Sequence, residues 1–369
     1  MFSTISLDAQ SGYFTEKGLP ITMKIRHALV ASVAAASLVL ASCSNSESDS
    51  ADSAAETTAS DSSASEGSTD EAAAGEDELV IEDNSGEKTI SLPVEKPVVT
   101  DNRAFELLHD WGVELAAAPI GLIPDTLSDK YNEDTIEFDL GSHREPDLEK
   151  IVAAAPDLIW NGQRFSQHGE DLEELAPDAT LVDFTPRDGE PLDAELIRLT
   201  ESLGQIFGHE DEAQAAIDDF NEALERAKEA YDPEKTVMAV NTSGSEINYS
   251  APSVGRTWGP LFDLIGFTPS LEVEDGSSNH EGDDISVEAI AESNPDYLLV
   301  LDRDAAVSSD EPDYSPASDL IADSAALQNV TAIQDDNVII APTDTYTNEN
   351  IVTYTEILNL IADAFEAQN

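Results

Sequence analysis

Two stretches of this chain carry one pattern. The first reads Asp147-Leu148-Glu149-Lys150-Ile151 and reaches Pro156-Asp157-Leu158-Ile159 seven residues after its glutamate. The second reads Ser286-Val287-Glu288-Ala289-Ile290 and reaches Pro295-Asp296-Tyr297-Leu298 at the same spacing. Proline lacks a backbone donor and disfavours helical geometry in the residue before it, so Ala155-Pro156 and Asn294-Pro295 each end a short helix. The apolar runs at 158–160 and 297–301 that follow have the length of a buried strand. A helix leading into a buried strand, once in each half, constrains the chain to two lobes of similar αβ build.

The segments around these units agree with that reading. Residues 79–82 and 88–92 read as a hairpin around Asn84-Ser85-Gly86, and 98–100 as a third short strand. Phe105, Leu108 and Trp111 have helical spacing and stop at Gly112. From 194 to 231 apolar residues recur at helical intervals, among them Ile197, Leu203, Phe207, Ile217, Phe220 and Leu224, with Gly208 as a possible break and Asp232-Pro233 as the end. A strand at 236–240 opens the second half. The expectation is an α/β fold of two αβ lobes, 79–193 and 233–369, joined by a single long helical segment at 194–232.

Upstream, Lys24 and Arg26 precede an apolar run at 28–40, too short for a membrane span and suited to a signal-peptide core. Leu40-Ala41-Ser42-Cys43 resembles a bacterial lipobox, and Cys43 is the one cysteine of the chain. We therefore read 23–42 as a lipoprotein signal peptide and Cys43 as the lipidated residue; a free reactive thiol is the alternative. Residues 1–22 have no signal character and read as an extension before the true start at Met23. Residues 44–78 contain no lysine, arginine or aromatic residue, so 43–78 reads as a lipidated, acidic, disordered tether.

Charge narrows function further. Lysine and arginine total 17 against 77 aspartates and glutamates, a net charge of −60. Such a chain repels phosphate backbones, which excludes nucleic acid as a partner unless a local basic patch exists. One cysteine excludes an intrachain disulfide. The chain holds no Gly-x-Ser-x-Gly elbow and no His-Glu-x-x-His motif, which speaks against a surface hydrolase. A bare-metal site would need several His, Asp or Glu ligands, and His168 and His280 are the available histidines.

Further motifs carry a resemblance. They are the run from Gly141-Ser142-His143-Arg144-Glu145-Pro146 into the first repeat, Ser253-Val254-Gly255-Arg256, and Leu301-Asp302-Arg303 with Ala305-Ala306-Val307. From about residue 79 to its end the chain resembles the class III substrate-binding lipoproteins of ABC importers, most of all those that bind ferric siderophores of catecholate type. The resemblance implies the class III periplasmic-binding-protein fold, no catalysis and no intrinsic cofactor. It implies a monomer on the extracytoplasmic face of the cell membrane that hands its ligand to a permease with its ATPase. Haem, cobalamin or another iron chelate on the same fold is the alternative ligand; an adhesin or a hydrolase is the alternative of another class.

The same resemblance assigns residues. Arg144, Arg256 and Arg303 match its site cations and Arg164 lies one residue from a fourth; Arg103, matched to no such position, is a further candidate to face the cleft from the first helix start. An anionic ferric chelate requires such fixed positive charge; an ion pair with a surface carboxylate is the alternative for each. Trp258, two residues beyond Arg256, reads as core, cleft wall or a platform for an aromatic ligand. His280 and Tyr346 match loop positions able to ligate iron, with a solvated loop residue and a packed ring as their alternatives. Glu149 and Glu288 match the glutamates that dock on arginines of the permease; two solvated helix glutamates are the alternative.

Overall fold

A computed structural model of the chain describes residues 77–368. The readings of 1–22, 23–42 and Cys43 lie outside the described residues, as does the tether up to its last two positions. The first strand, β1 (Asp77–Asp83), pairs antiparallel with β2 (Gly86–Leu92) across the expected turn. The Asp83 carboxylate accepts the Ser85 N–H at 2.7 Å and the Asp183 N–H at 3.0 Å, which fastens the hairpin to the first sheet.

That sheet contains β3 (Pro97–Val99), β4 (Ala117–Ala118) and β5 (Phe138–Asp139). A small hairpin, β6 (Gly141–Ser142) and β7 (Glu145–Pro146), separates these from β8 (Leu158–Asn161) and β9 (Thr180–Asp183). The order is β5-β4-β3-β8-β9, all parallel. Helices α1 (Asn102–Asp110), α2 (Glu149–Ala154) and α3 (Gly169–Leu175) connect the strands. Helix α1 starts three residues before the first apolar residue of its pattern, because the Asp101 side chain accepts the Arg103 N–H at 3.0 Å and caps it.

The expected linking segment is two helices, α4 (Leu192–Phe207) and α5 (Glu210–Ala230). Gly208 makes the break with φ of 70°, a left-handed conformation suited to glycine. Helix α5 spans about 31 Å at 1.5 Å per residue. Its buried residues Ala213, Ile217, Phe220, Leu224 and Ala227 form one face.

The second sheet contains β10 (Thr236–Ser243), β11 (Glu246–Tyr249), β12 (Thr268–Pro269), β13 (Tyr297–Asp302) and β14 (Val338–Ile340). The order is β11-β10-β13-β14, with β12 also on β10; all pairs are parallel except β10 with β11. Its helices are α6 (Gly259–Leu261), α7 (Val287–Ser293), α8 (Arg303–Val307), α9 (Ala317–Asp323), α10 (Thr331–Gln334) and α11 (Ile351–Glu366). Every residue of β8 and β13 is buried, as expected for a parallel sheet covered on both faces.

The sequence repeat now has a physical meaning. Helix α2 ends on Ala155 at φ 45° and α7 on Asn294 at φ 47°. After the proline, each aspartate accepts backbone N–H groups at the entry of the neighbouring parallel strand. Asp157 takes those of Glu95 and Lys96 at 2.6 and 3.0 Å; Asp296 takes that of Thr236 at 2.9 Å and the Lys235 ammonium at 3.0 Å. The two aspartates thus fix the register of β3 on β8 and of β10 on β13.

One continuous apolar cluster includes Val99 and Trp160 of the first sheet, Leu203 and Phe220 of α4 and α5, Leu299 of the second sheet and Phe365 of α11. Arg226 of α5 adds ion pairs to Asp363 and Glu366 of α11. Replacing Asp157 or Asp296 by alanine strips an acceptor from these strand entries; each is expected to cost about 1–2 kcal/mol in urea unfolding. Two variants as stable as the parent would refute this role.

Candidate functional site

In open parallel sheets, ligands bind beyond the carboxyl ends of the strands. Here β3 runs into Asp101-Asn102-Arg103, β8 into Gly162-Gln163-Arg164 and β13 into Arg303. The loop after β14 carries Tyr346 and Glu349. A cavity of about 510 Å³ lies among these ends, lined in part by Arg103, Gln163, Arg164, Val254, Arg256 and Glu349.

Two glycines make the convergence possible. A Cβ at Gly162 would collide with the Asp101 carboxylate, so only glycine lets the ends of β3 and β8 pass this closely. A Cβ at Gly255 would lie 2.6 Å from the backbone N and O of Ala251. Ser253 and Thr257, on either side, are left-handed at φ 65° and 64°. This tightly wound loop carries Arg256 to the cavity and sends Trp258 the other way, into the core.

Tyr346 is the centre of the cluster. Its buried ring lies 4.1 Å from the guanidinium carbon of Arg256, 5.1 Å from that of Arg303 and 5.4 Å from that of Arg164. Arg256 donates to Glu349 Oε2 at 2.7 Å and to the Tyr346 carbonyl at 2.9 Å, and Thr257 Oγ1 also donates to Glu349. Arg303 pairs with Asp304 at 2.9 Å, and Arg103 lies 3.7 Å from Asp101. Among the described residues, Arg164 has no carboxylate within ion-pair distance.

Burial opposes ionisation of Glu349, but the charge and hydrogen bonds of Arg256 outweigh it and hold the carboxyl below its ordinary value. Burial likewise opposes the Arg256 charge, and Glu349 reverses that, so both partners are ionised. Asp101 differs: burial raises its pKa and Arg103 offsets only part of the rise. Burial also lowers the pKa of Arg164, against the pull of Tyr346.

Several buried polar atoms here have no hydrogen-bond partner in the chain, among them Asp101 Oδ2, Gln163 Oε1, Thr242 Oγ1, Arg303 Nε and Thr345 Oγ1. Such atoms are rare in protein interiors. Apolar rim is supplied by Val254, Pro186, Leu192 and Pro260, which also line an adjoining cavity of about 800 Å³. Hydrogen bonds clamp the Tyr346 loop to the first lobe: Asn102 Nδ2 donates to the Thr347 carbonyl at 3.0 Å, and Asn350 Nδ2 to Glu106 at 2.7 Å.

The residues singled out from the sequence are distributed unevenly. Arg103, Arg164 and Arg256 line the cavity, and Arg164, Arg256 and Arg303 surround the Tyr346 ring, which with Arg303 lies outside the lining. Arg144 is exposed in the turn between β6 and β7, outside the cavity lining. Trp258 is wholly buried and presents no face to a ligand. His280 is exposed, 3.9 Å from Glu281, although Ser278 of its loop lines the cavity. His168 is occupied by the His143 carbonyl at 3.0 Å. Glu149 and Glu288 are exposed in the first turns of α2 and α7. Glu349, Gln163 and Thr257 escaped the sequence reading. Glu349 stands in Asn348-Glu349-Asn350, where the only local signal is the N-cap Asn350 of α11. Among the described residues no group of three or more His, Cys, Asp or Glu side chains could hold a bare metal ion. Nor is any helix among them long and apolar enough to cross a membrane.

A family model described as periplasmic binding protein matches residues 98–345. The chain is 30% identical over 233 residues to the ferric-anguibactin-binding protein FatB of Vibrio anguillarum, covering 62% of this chain and 70% of that protein. It is 25% identical over 289 residues to the petrobactin-binding protein YclQ of Bacillus subtilis, covering 77% and 86%. The crystal structure of the periplasmic catecholate-siderophore binding protein VctP from Vibrio cholerae matches with a TM-score of 0.64 at 22% identity, over 79% of this chain and 100% of that one, a likeness of fold.

The adjoining cavity rests on an ion triad. Glu195 of α4 is 1% exposed between Arg187 and Arg198, the latter at 2.8 Å. Burial pushes its pKa up, but the hydrogen bonds of the two arginines bring it down to about 2, from an ordinary 4.5. A depressed carboxyl stabilises the fold fully above its unfolded pKa and loses that contribution as pH falls through the folded one. Glu195→Gln is therefore expected to cost about 2 kcal/mol at neutral pH, allowing for the half-exposed Arg187. The gap should close as pH falls from about 4.5 to about 2. Urea unfolding of both proteins across that range checks this; a gap independent of pH contradicts it.

Proposed function

This chain belongs to the periplasmic binding protein family, and we propose that it captures a ferric siderophore, catecholate type favoured, between its lobes and delivers it to an ABC permease. The observation that carries this reading is the set of guanidinium groups of Arg164, Arg256 and Arg303 around the Tyr346 ring. In a chain of charge −60 with nine arginines, three converge on one ring, and two of these, Arg164 and Arg256, share a cavity with Arg103. Guanidinium groups present planar paired donors that suit the oxygens of catecholates and carboxylates. The repulsive field of distant surface carboxylates is screened beyond about 8–10 Å in physiological salt, so short-range contacts decide binding.

On this reading Arg103, Arg164, Arg256 and Arg303 hold the chelate, and Arg144 acts from the exposed hairpin turn during approach. Trp258 supports the Arg256 loop from below. Tyr346 is 4% exposed and reaches iron only if its ring is uncovered toward the cavity, and His280 only if its loop turns inward. No residue is assigned a catalytic role. Glu149 and Glu288 dock on the permease, whose ATPase drives uptake. Cys43 carries the lipid that keeps a monomeric protein on the extracytoplasmic face of the membrane.

Titration of the protein with ferric siderophores, haem and cobalamin tests this. Saturable binding of ferric siderophores is expected, weakened at least about tenfold by Arg164→Ala or Arg256→Ala. Arg226→Ala, on the distant α5–α11 face, should leave binding unchanged. Binding of haem or cobalamin alone would overturn the ligand assignment.

A further inference from the structure

Glu349 is placed where a ligand-binding arginine would be expected to stay free. It is 4% exposed and lines the cavity. Arg256 grips it through Nε at 3.1 Å and a terminal nitrogen at 2.7 Å, and the Thr257 hydroxyl closes the other oxygen. Three donors on one carboxylate fix it as a permanent negative charge of the cleft, not a side chain that swings away.

A charge count of the cleft follows. Arg103 stands beside Asp101, Arg256 on Glu349 and Arg303 on Asp304. Arg164 alone of the four has no carboxylate partner among the described residues. The charged side chains on the cavity lining itself are Arg103, Arg164 and Arg256 against Asp188 and Glu349. The cleft is rich in donors but carries about one net positive charge. The cost of taking a ligand's charge out of water rises with the square of that charge, whereas its attraction to one net positive charge rises only in proportion to it, so a trianion meets a desolvation cost that this cleft does not offset.

Resting on the siderophore reading above, we infer that Glu349 is a specificity-determining residue: by neutralising Arg256 it tunes the cleft to ferric chelates of about one net negative charge and disfavours trianionic tris-catecholates. The donors remain, so hydrogen bonding to catechol oxygens is kept while total charge is limited. Chelates that mix catechol with less charged donors fit this requirement. A fixed charge acts on the ligand in proportion to the ligand's own charge, so removing Glu349 should help a trianion far more than a monoanion.

The test uses a matched set of hexadentate ferric chelates in which hydroxamate arms replace catechol arms one at a time. The set runs from trianionic through dianionic and monoanionic to neutral on one framework. The full chain is expected to bind the monoanion at least about tenfold more tightly than the trianion. Glu349→Gln, which removes the charge and keeps one acceptor oxygen, should shift that ratio toward the trianion by about tenfold or more. Should that variant not fold, Arg164→Gln serves: it removes the unpartnered cation and should move the optimum toward the neutral chelate. A wild-type preference for the trianion, or a folded Glu349→Gln with an unchanged ratio, overturns the inference and leaves the siderophore reading standing. Failure of the wild type to bind any member overturns the siderophore reading and this inference with it.

Discussion

The two sheets share one apolar core. It passes from Val99 and Trp160 through α4, α5 and α11 to Leu299, with no solvent layer dividing the lobes at that level. Separating them would expose Leu203, Phe220 and Phe365, which are at most 1% exposed, at several kcal/mol for the three side chains. The strand ends are therefore held at nearly constant separation. The hydrogen bonds of Asn102 and Glu106 to the Tyr346 loop act in the same sense. A cleft of this kind gains affinity from side chains already in place, not from a large closing motion.

Pre-placement explains why the site tolerates so much buried charge. Each buried guanidinium must be paired or solvated. The chain meets this with Glu349, Asp304 and Asp101, and with the face of Tyr346. The same carboxylates that make the arginines affordable inside the protein limit how much negative charge a ligand can bring. Stability of the empty cleft and selectivity of the filled one thus come from one arrangement.

Much of this was legible in the residue order because it is enforced locally. Proline and aspartate act within a few residues, so the repeat at 149–157 and 288–296 could be read directly and led to both sheets. Arg256 and Arg303 were visible because they stand in the motifs that carry the resemblance, Ser253-Val254-Gly255-Arg256 and Leu301-Asp302-Arg303. Arg164, one residue out of register, reaches the cluster after Gln163 adopts a left-handed φ of 49°. Of the three readings of Trp258, core holds and the platform for a ligand does not, because the left-handed Thr257 between it and Arg256 turns the indole inward. The α1 start was displaced because its cap, Asp101, precedes the apolar pattern. Glu349 could not be distinguished among 77 acidic residues. Its role depends on a partner 93 positions earlier in the chain, a contact that no local pattern encodes.

The most direct test of the account is the position of iron. Anomalous scattering at the iron edge, from crystals of the protein grown with a bound ferric chelate, locates the metal independently of any assumption about the ligand. The account predicts one peak over the Tyr346 ring among Arg164, Arg256 and Arg303. A peak beside the exposed His280 loop, or among surface carboxylates away from these three arginines, would contradict it.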